Sequence, residues 1–152
     1  MAVYSATSLS NKAAHHQSFG NTTTEVGIVT VTANLALSDT IDLVRVAGGS
    51  YLFSLETFNG DLDTGTASLV FKLGYRKANS AGVLTDDDDY FGSSLTTWQA
   101  AVLGSARTRW AFTPILFNED VIIYATVTTA GNALSASANV TTFAQSVMRG
   151  IK

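Results

Sequence analysis

The segment Ser68–Arg76 constrains the fold of this 152-residue chain more than any other. Its residues alternate in polarity: Leu69, Phe71, Leu73 and Tyr75 fall on one side and polar or small residues on the other. Because side chains in an extended chain point alternately to opposite faces, this pattern predicts a half-buried β-strand. The preceding residues Asp61–Gly65 are Asp- and Gly-rich turn formers. This part of the sequence therefore predicts a half-buried strand that begins directly after a tight turn.

Similar segments recur along the chain at fairly even spacing, separated by turns rich in Gly, Asn and Asp. We predict strands at Val26–Ala33, Thr40–Val46, Tyr51–Phe58, Ser68–Arg76, Arg107–Thr113, Val121–Thr128 and Ser135–Phe143. Helical spacing of apolar residues and a capping serine predict one short helix between Ser94 and Ala106. Residues 1–24 lack a period and are interpreted as an extended N-terminal arm. We thus expect an all-β, antiparallel, jelly-roll-like sandwich over residues 25–152, with one short helix and that arm.

Composition excludes several classes of protein. The net charge is −3 and the basic residues are scattered, which argues against nucleic acid as a partner. There is no cysteine, and no apolar run approaches the ~20 residues that span a membrane. The N-terminus has no basic, apolar signal peptide, so we expect a protein that stays in the cytoplasm or assembles there. Charged residues make up only 14% of the chain, against about 25% in typical proteins, which suits a surface packed against neighbours.

Candidate reactive groups favour binding over catalysis. The only histidines, His15 and His16, lie in the predicted arm, so a Ser-His-Asp site lacks an anchored base. Paired acids for glycoside cleavage are conceivable among Glu25, Glu56 and Glu119, but each sits beside a strand end. We therefore predict that the protein is not an enzyme and has no catalytic residues, cofactor or metal site.

The run Asp86–Asp89 leaves one alternative open. Carboxylates are calcium ligands, but four adjacent side chains in an extended chain diverge, and the spacing of an EF-hand is missing. A solvated acidic loop is the favoured interpretation, and whether it binds calcium is undecided.

Three segments of the chain resemble a known family of proteins. Asp61-Leu-Asp-Thr-Gly-Thr66, the strand ending in Gly74-Tyr75, and the Asp-rich segment closing on Tyr90-Phe91 resemble small virion structural proteins of tailed bacteriophages, of the head decoration (cement) type. The resemblance covers roughly residues 40 to 128. The long N-terminal arm and the segment around Trp98 depart from the family pattern.

The resemblance implies a capsid decoration protein that binds the outer head surface and clamps adjacent major capsid proteins. It implies a virion protein assembled in the bacterial cytoplasm, with the major capsid protein and itself as partners. A homotrimer is the first expectation and a dimer the second. Tyr4, Leu9 and Phe19 of the arm and Trp98 are the candidate contacts with the capsid or a sister subunit.

The alternative function is a carbohydrate-binding or host-recognition module of a phage fibre or tail. Trp98, Trp110 and Phe112 offer flat rings of the kind that stack on sugars, although such rings in β-proteins more often lie in a core or interface.

Overall fold

A computed structural model describes residues 1–6, 22–102, 107–134 and 137–148 of the chain. The described residues form ten strands: β1 (Val3–Ser5), β2 (Thr22–Val31), β3 (Thr40–Val46), β4 (Ser50–Asn59), β5 (Val70–Lys77), β6 (Asp87–Leu95), β7 (Thr108–Arg109), β8 (Ile115–Phe117), β9 (Val121–Thr129) and β10 (Ala138–Met148). One 3₁₀ turn, Thr97–Gln99, follows β6. Within these residues no helix is both long and apolar enough to cross a membrane.

The strands form two sheets that pack face to face. The first sheet has the order β1-β3-β9-β5-β6, and the second has the order β2-β10-β4-β7, with β8 also pairing with β4. Every pairing is antiparallel except that of β1 with β3. The prediction of an all-β, jelly-roll-like sandwich is confirmed.

The core lies between the sheets and follows the alternation read from the sequence. In β9, Val121, Ile123, Ala125 and Val127 are buried and the residues between them are partly exposed. Phe71 of β5 lies at the centre, where its ring stacks on Trp98 and meets Trp110 edge-on. Interdigitating side chains of two inner faces are what holds such a sandwich together.

A buried carboxylate joins two loops at one end of the sandwich. Asp63 is 1% exposed and accepts hydrogen bonds from the backbone N–H groups of Ser68 (2.5 Å), Leu69 (2.6 Å) and Asn132 (2.5 Å), with a longer contact to Ala133 (3.4 Å). Burial alone would raise the pKa of Asp63. The hydrogen bonds from these backbone N–H groups together lower it by more, so the pKa of Asp63 lies below its ordinary value. The Asp-Gly turn recognised in the sequence is therefore tied to the loop that precedes β10.

Several predicted elements differ from the structure. β2 begins four residues before the predicted Val26, and β10 ends five residues after the predicted Phe143. The helix expected between Ser94 and Ala106 is only the 3₁₀ turn Thr97–Gln99 within the described residues. Ser94 has a positive φ of 55°, and Val102 forms a β-bridge with Asn59, so the chain crosses between the sheets here. The strand expected at Arg107–Thr113 is limited to Thr108–Arg109, and β8 was not predicted.

The acidic run and the N-terminal arm also need correction. Asp87–Asp89 begin the edge strand β6 and are not a loop. The predicted arm, residues 1–24, is in part a component of the sandwich, because β1 pairs with Thr40–Asp42 of β3 and β2 already begins at Thr22. Residues 7–21 lie outside the described residues.

Candidate interaction surface

Tyr4 is docked on its own subunit. It sits in β1 opposite Ile41, is half-buried and packs against the core. Backbone hydrogen bonds from Thr40 N–H to the Ala2 carbonyl (3.0 Å) and from Ala6 N–H to the Asp42 carbonyl (2.9 Å) hold the segment in place. Tyr4 is thus held by the sandwich itself and is not on a free arm. Leu9 and Phe19, the other predicted arm contacts, lie outside the described residues.

Trp98 is a core residue, which corrects its prediction as a surface contact. Its side chain has no exposed surface, and its ring stacks on Phe71 at a centroid distance of 4.0 Å and an angle of 17°. Trp110 is 6% exposed and donates its indole N–H to the hydroxyl of Thr57 (3.2 Å). Neither tryptophan offers an open ring face to a sugar, and Phe112 packs against the core. The apolar residues around Trp98 have helix-like spacing in the sequence, but the Trp98 ring is buried against Phe71 from a 3₁₀ turn.

The carboxylates of Asp87, Asp88 and Asp89 offer oxygens that lie within 4.8 Å of one another. Asp88 forms an ion pair with Lys72 (3.2 Å), and Asp87 accepts a hydrogen bond from the backbone N–H of Asp89. Such a group could accept a hard cation. The carboxylates of Asp87 and Asp88 already have protein partners, however, and exposed acidic groups of this kind are common without an ion.

The acids considered for catalysis have structural partners. Glu119 accepts a hydrogen bond from the backbone N–H of Leu84 (2.5 Å) and so ties the loop before β6 to the turn before β9. Glu56 is held by Arg107 (3.2 Å) and Arg109 (2.9 Å). The histidines His15 and His16 lie outside the described residues.

The outer face of the first sheet is charged. Arg76 pairs with Asp42 (2.7 Å) and lies over the ring of Tyr124 (5.4 Å), all on the outer side of β3, β9 and β5. Two further ion pairs, Lys72–Asp88 and Arg45–Asp120, lie on this side. We call this surface the charged face. Its ionic groups are largely paired within the subunit.

The outer face of the second sheet is apolar and rich in threonine. We call it the apolar face and define it by six outward-facing side chains on β2, β4 and β10: Val26, Ile28, Tyr51, Phe53, Phe58 and Phe143. The first four are between 38% and 48% exposed. The rings of Phe58 and Phe143 lie 5.7 Å apart, and the guanidinium of Arg107 lies 4.5 Å from the centre of the Phe143 ring. Exposed apolar side chains clustered on one face commonly mark an interaction site.

An ion-paired group borders the apolar face. The hydrogen bond from Arg109 lowers the pKa of Glu56 against the opposing effect of burial, and a second bond from Arg107 lowers it further. Glu56 is therefore ionised at neutral pH and shared between two arginines. Arg109 is 76% exposed in its side chain, so part of its guanidinium still faces solvent.

A small surface cavity of about 230 Å³ opens on the apolar face where β4 bulges against β10. It is lined by Phe53, Ser54, Arg109, Trp110 and Gln145. The hydroxyl oxygen of Ser54 is buried and has no hydrogen-bond partner among the described residues. Arg109, Ser54 and Gln145 each present a hydrogen-bond donor, whereas Phe53 and Trp110 present aromatic carbon. The cavity thus suits a small group that carries a hydrogen-bond acceptor.

Sequence reasoning missed the apolar face. The alternation in β2, β4 and β10 assigns their residues to two sides, but each of these strands carries apolar residues on both sides. Val26 and Ile28 of the predicted strand are outward-facing, because Val29 and Val31 supply the buried side of β2. The signal that could have revealed the apolar face is in β2, a strand at the edge of its sheet. This strand carries apolar residues on both sides, and only one side can be buried between the sheets.

Comparisons with known proteins show the fold. No family model matches the sequence, and no curated protein matches it. Among solved structures, a chain from the capsid of Ralstonia phage GP4 has a TM-score of 0.72 at 17% identity, over 99% of this chain and 100% of that one. A chain from the Cyanophage Pam1 capsid asymmetric unit has a TM-score of 0.66 at 20% identity, over 91% and 92%. A chain from the acidic stable capsid structure of Helicobacter pylori bacteriophage KHP30 has a TM-score of 0.57 at 12% identity, over 88% and 94%. The chain therefore shares its whole fold with chains found in three phage capsids.

Proposed function

We propose that this protein is a structural component of a phage virion, and specifically a decoration (cement) protein on the outer surface of the head. The observation that carries the proposal is the end-to-end match with chains of three phage capsid structures. Since the match covers 92–100% of each of those chains, each is a separate chain of about this size and not a domain of a larger one. Small separate β-sandwiches in a capsid suit a role in binding to a shell.

The proposed mechanism is additive contact between neighbouring coat subunits. A rigid sandwich that touches two subunits resists their separation, and repetition over the shell multiplies the effect. The major capsid protein is the proposed partner, and the bacterial cytoplasm is the proposed place of assembly. Self-association as a trimer at a symmetry axis is the first expectation and a dimer the second. The role requires binding and no catalysis.

The carbohydrate-binding alternative is not favoured. Its main support was the pair of tryptophans, and both are buried.

Co-sedimentation tests the proposal. Under it the chain is phage-encoded, so expanded heads of that phage, prepared without this protein, are mixed with increasing amounts of it and pelleted. We expect saturable binding at a fixed ratio to the major capsid protein, and that ratio identifies the symmetry site. An absence of binding, with the protein still folded by circular dichroism, would contradict a decoration role. Binding to tail preparations in the same assay would place the protein elsewhere in the virion.

A further inference from the structure

We propose that the apolar face, and not the charged face, is the surface that docks on the capsid shell. The partner it fits is a protein surface that presents apolar side chains around an exposed carboxylate or carbonyl oxygen. This inference rests on the proposed function and adds the site and the chemistry of its partner.

The difference between the two outer faces is the first support. On the charged face, Asp42 is 5% exposed and bound to Arg76, and two more ion pairs lie nearby. Docking a partner there would remove these charges from water, which costs free energy unless every group finds a new partner. On the apolar face, docking removes side chains such as Ile28 and Phe53 from water, which is favourable.

The cavity beside the β4 bulge specifies the chemistry of the partner. Its polar lining consists of the guanidinium of Arg109, the hydroxyl of Ser54 and the amide of Gln145. Ser54 Oγ is buried and unpartnered among the described residues, and Arg109 is largely exposed. The exposed guanidinium of Arg109 is the donor that an acceptor of the partner can reach, and a charged donor makes a strong hydrogen bond with a carboxylate. An acidic or amide side chain from the partner, flanked by apolar atoms against Phe53 and Trp110, satisfies this arrangement.

Charge complementarity favours the shell over a second copy of the same face. The ion-paired group that borders the apolar face has Arg107 and Arg109 against one acid, Glu56, and so a net charge of +1 in a chain of net charge −3. Two such faces brought together would repel. Among the described residues a second copy would also bring no free carboxylate to the cavity, because Glu56 is already held by both arginines.

Two pairs of matched variants test the face. Arg109→Glu and Lys72→Glu reverse one exposed basic charge on the apolar and the charged face, respectively. Ile28→Asp and Val83→Asp place an acid on an exposed apolar position, the first on the apolar face and the second, 95% exposed, in the loop before β6. All four are titrated against undecorated heads, with melting temperature and circular dichroism as controls for folding. We expect Arg109→Glu and Ile28→Asp to weaken binding about tenfold or more, and the other two to change it less than about twofold.

The outcomes separate this inference from the proposed function. If the wild type binds heads and the apolar-face variants bind equally well, the docking face is wrong and the decoration role stands. If Lys72→Glu alone weakens binding, the charged face is the docking surface. If Ile28→Asp converts an oligomer to a monomer in light scattering while heads still bind it, the apolar face joins copies of this chain and the inference is overturned. If the wild type itself does not bind, the proposed function fails.

Discussion

Replacing Asp63 with asparagine removes half of the acceptor that joins two loops while keeping the shape of the side chain. One carboxylate oxygen accepts from Ser68 and Leu69, and the other accepts from Asn132 and, more weakly, Ala133. An amide retains one oxygen and places its NH₂ group against backbone N–H donors on the other side. At least one buried donor is therefore left without an acceptor.

The expected cost follows from those bonds. A buried donor that loses its acceptor costs about 1–3 kcal/mol, and hydrogen bonds to a charged group lie at the upper end of that range. The lost acceptor and the new N–H···H–N contact together give a loss of about 3 kcal/mol at pH 7. For a domain of this size each kcal/mol lowers the melting temperature by about 2–4 °C, so a decrease of about 6–12 °C is expected.

The pH dependence provides a second, independent check. The folded-state pKa of Asp63 is lowered, so its contribution to the free energy of unfolding is fully present above the ordinary carboxyl pKa of about 4. The contribution is lost as the pH falls through the lower, folded-state pKa. The difference between the wild type and Asp63→Asn should therefore shrink as the pH falls below about 4.

Thermal unfolding by circular dichroism between pH 2 and pH 8 measures both effects. Asp86→Asn is the matched control, because Asp86 is an exposed aspartate that accepts one backbone hydrogen bond, from Lys77 (2.8 Å). Its expected effect is within about 0.5 kcal/mol. A melting temperature for Asp63→Asn equal to that of Asp86→Asn at pH 7, or a difference from wild type that stays constant down to pH 2, would refute this account of the loop.

Two further perturbations test the corrected positions. Trp98→Ala should lower the free energy of unfolding by about 3–5 kcal/mol in chemical denaturation, since it removes a fully buried ring stacked on Phe71. Trp98→Phe should cost clearly less, because it keeps the stack and removes an indole N–H that has no partner among the described residues; equal costs would argue against the stack. Deleting residues 1–6 should lower the melting temperature, because it removes β1 and the packing of Tyr4, and an unchanged melting temperature would show that β1 contributes no stability.

The sequence determined two central strands closely. Thr40–Val46 was predicted with the bounds that the structure has, and Val121–Thr128 ends one residue short of β9. β9 has one buried side and one partly exposed side, so local alternation carries the information there, whereas β3 is buried on both sides from Ile41 to Val44 and was located by the turn residues before it. The turn at Asp61–Gly65 was likewise local, because Asp and Gly act through their own backbone.

The tertiary structure decided what depends on partners distant in sequence. Trp98 has helix-like spacing, but the need to fill the core against Phe71 fixes it in a 3₁₀ turn that crosses between the sheets. Tyr4 looked like part of a free arm because the three residues of β1 carry no periodic signal, and only pairing with β3 holds them. The apolar face was equally hidden, since alternation gives the two sides of a strand but not which side meets the other sheet. That choice is made when the two sheets close on a common core, and it leaves one face charged and the other apolar.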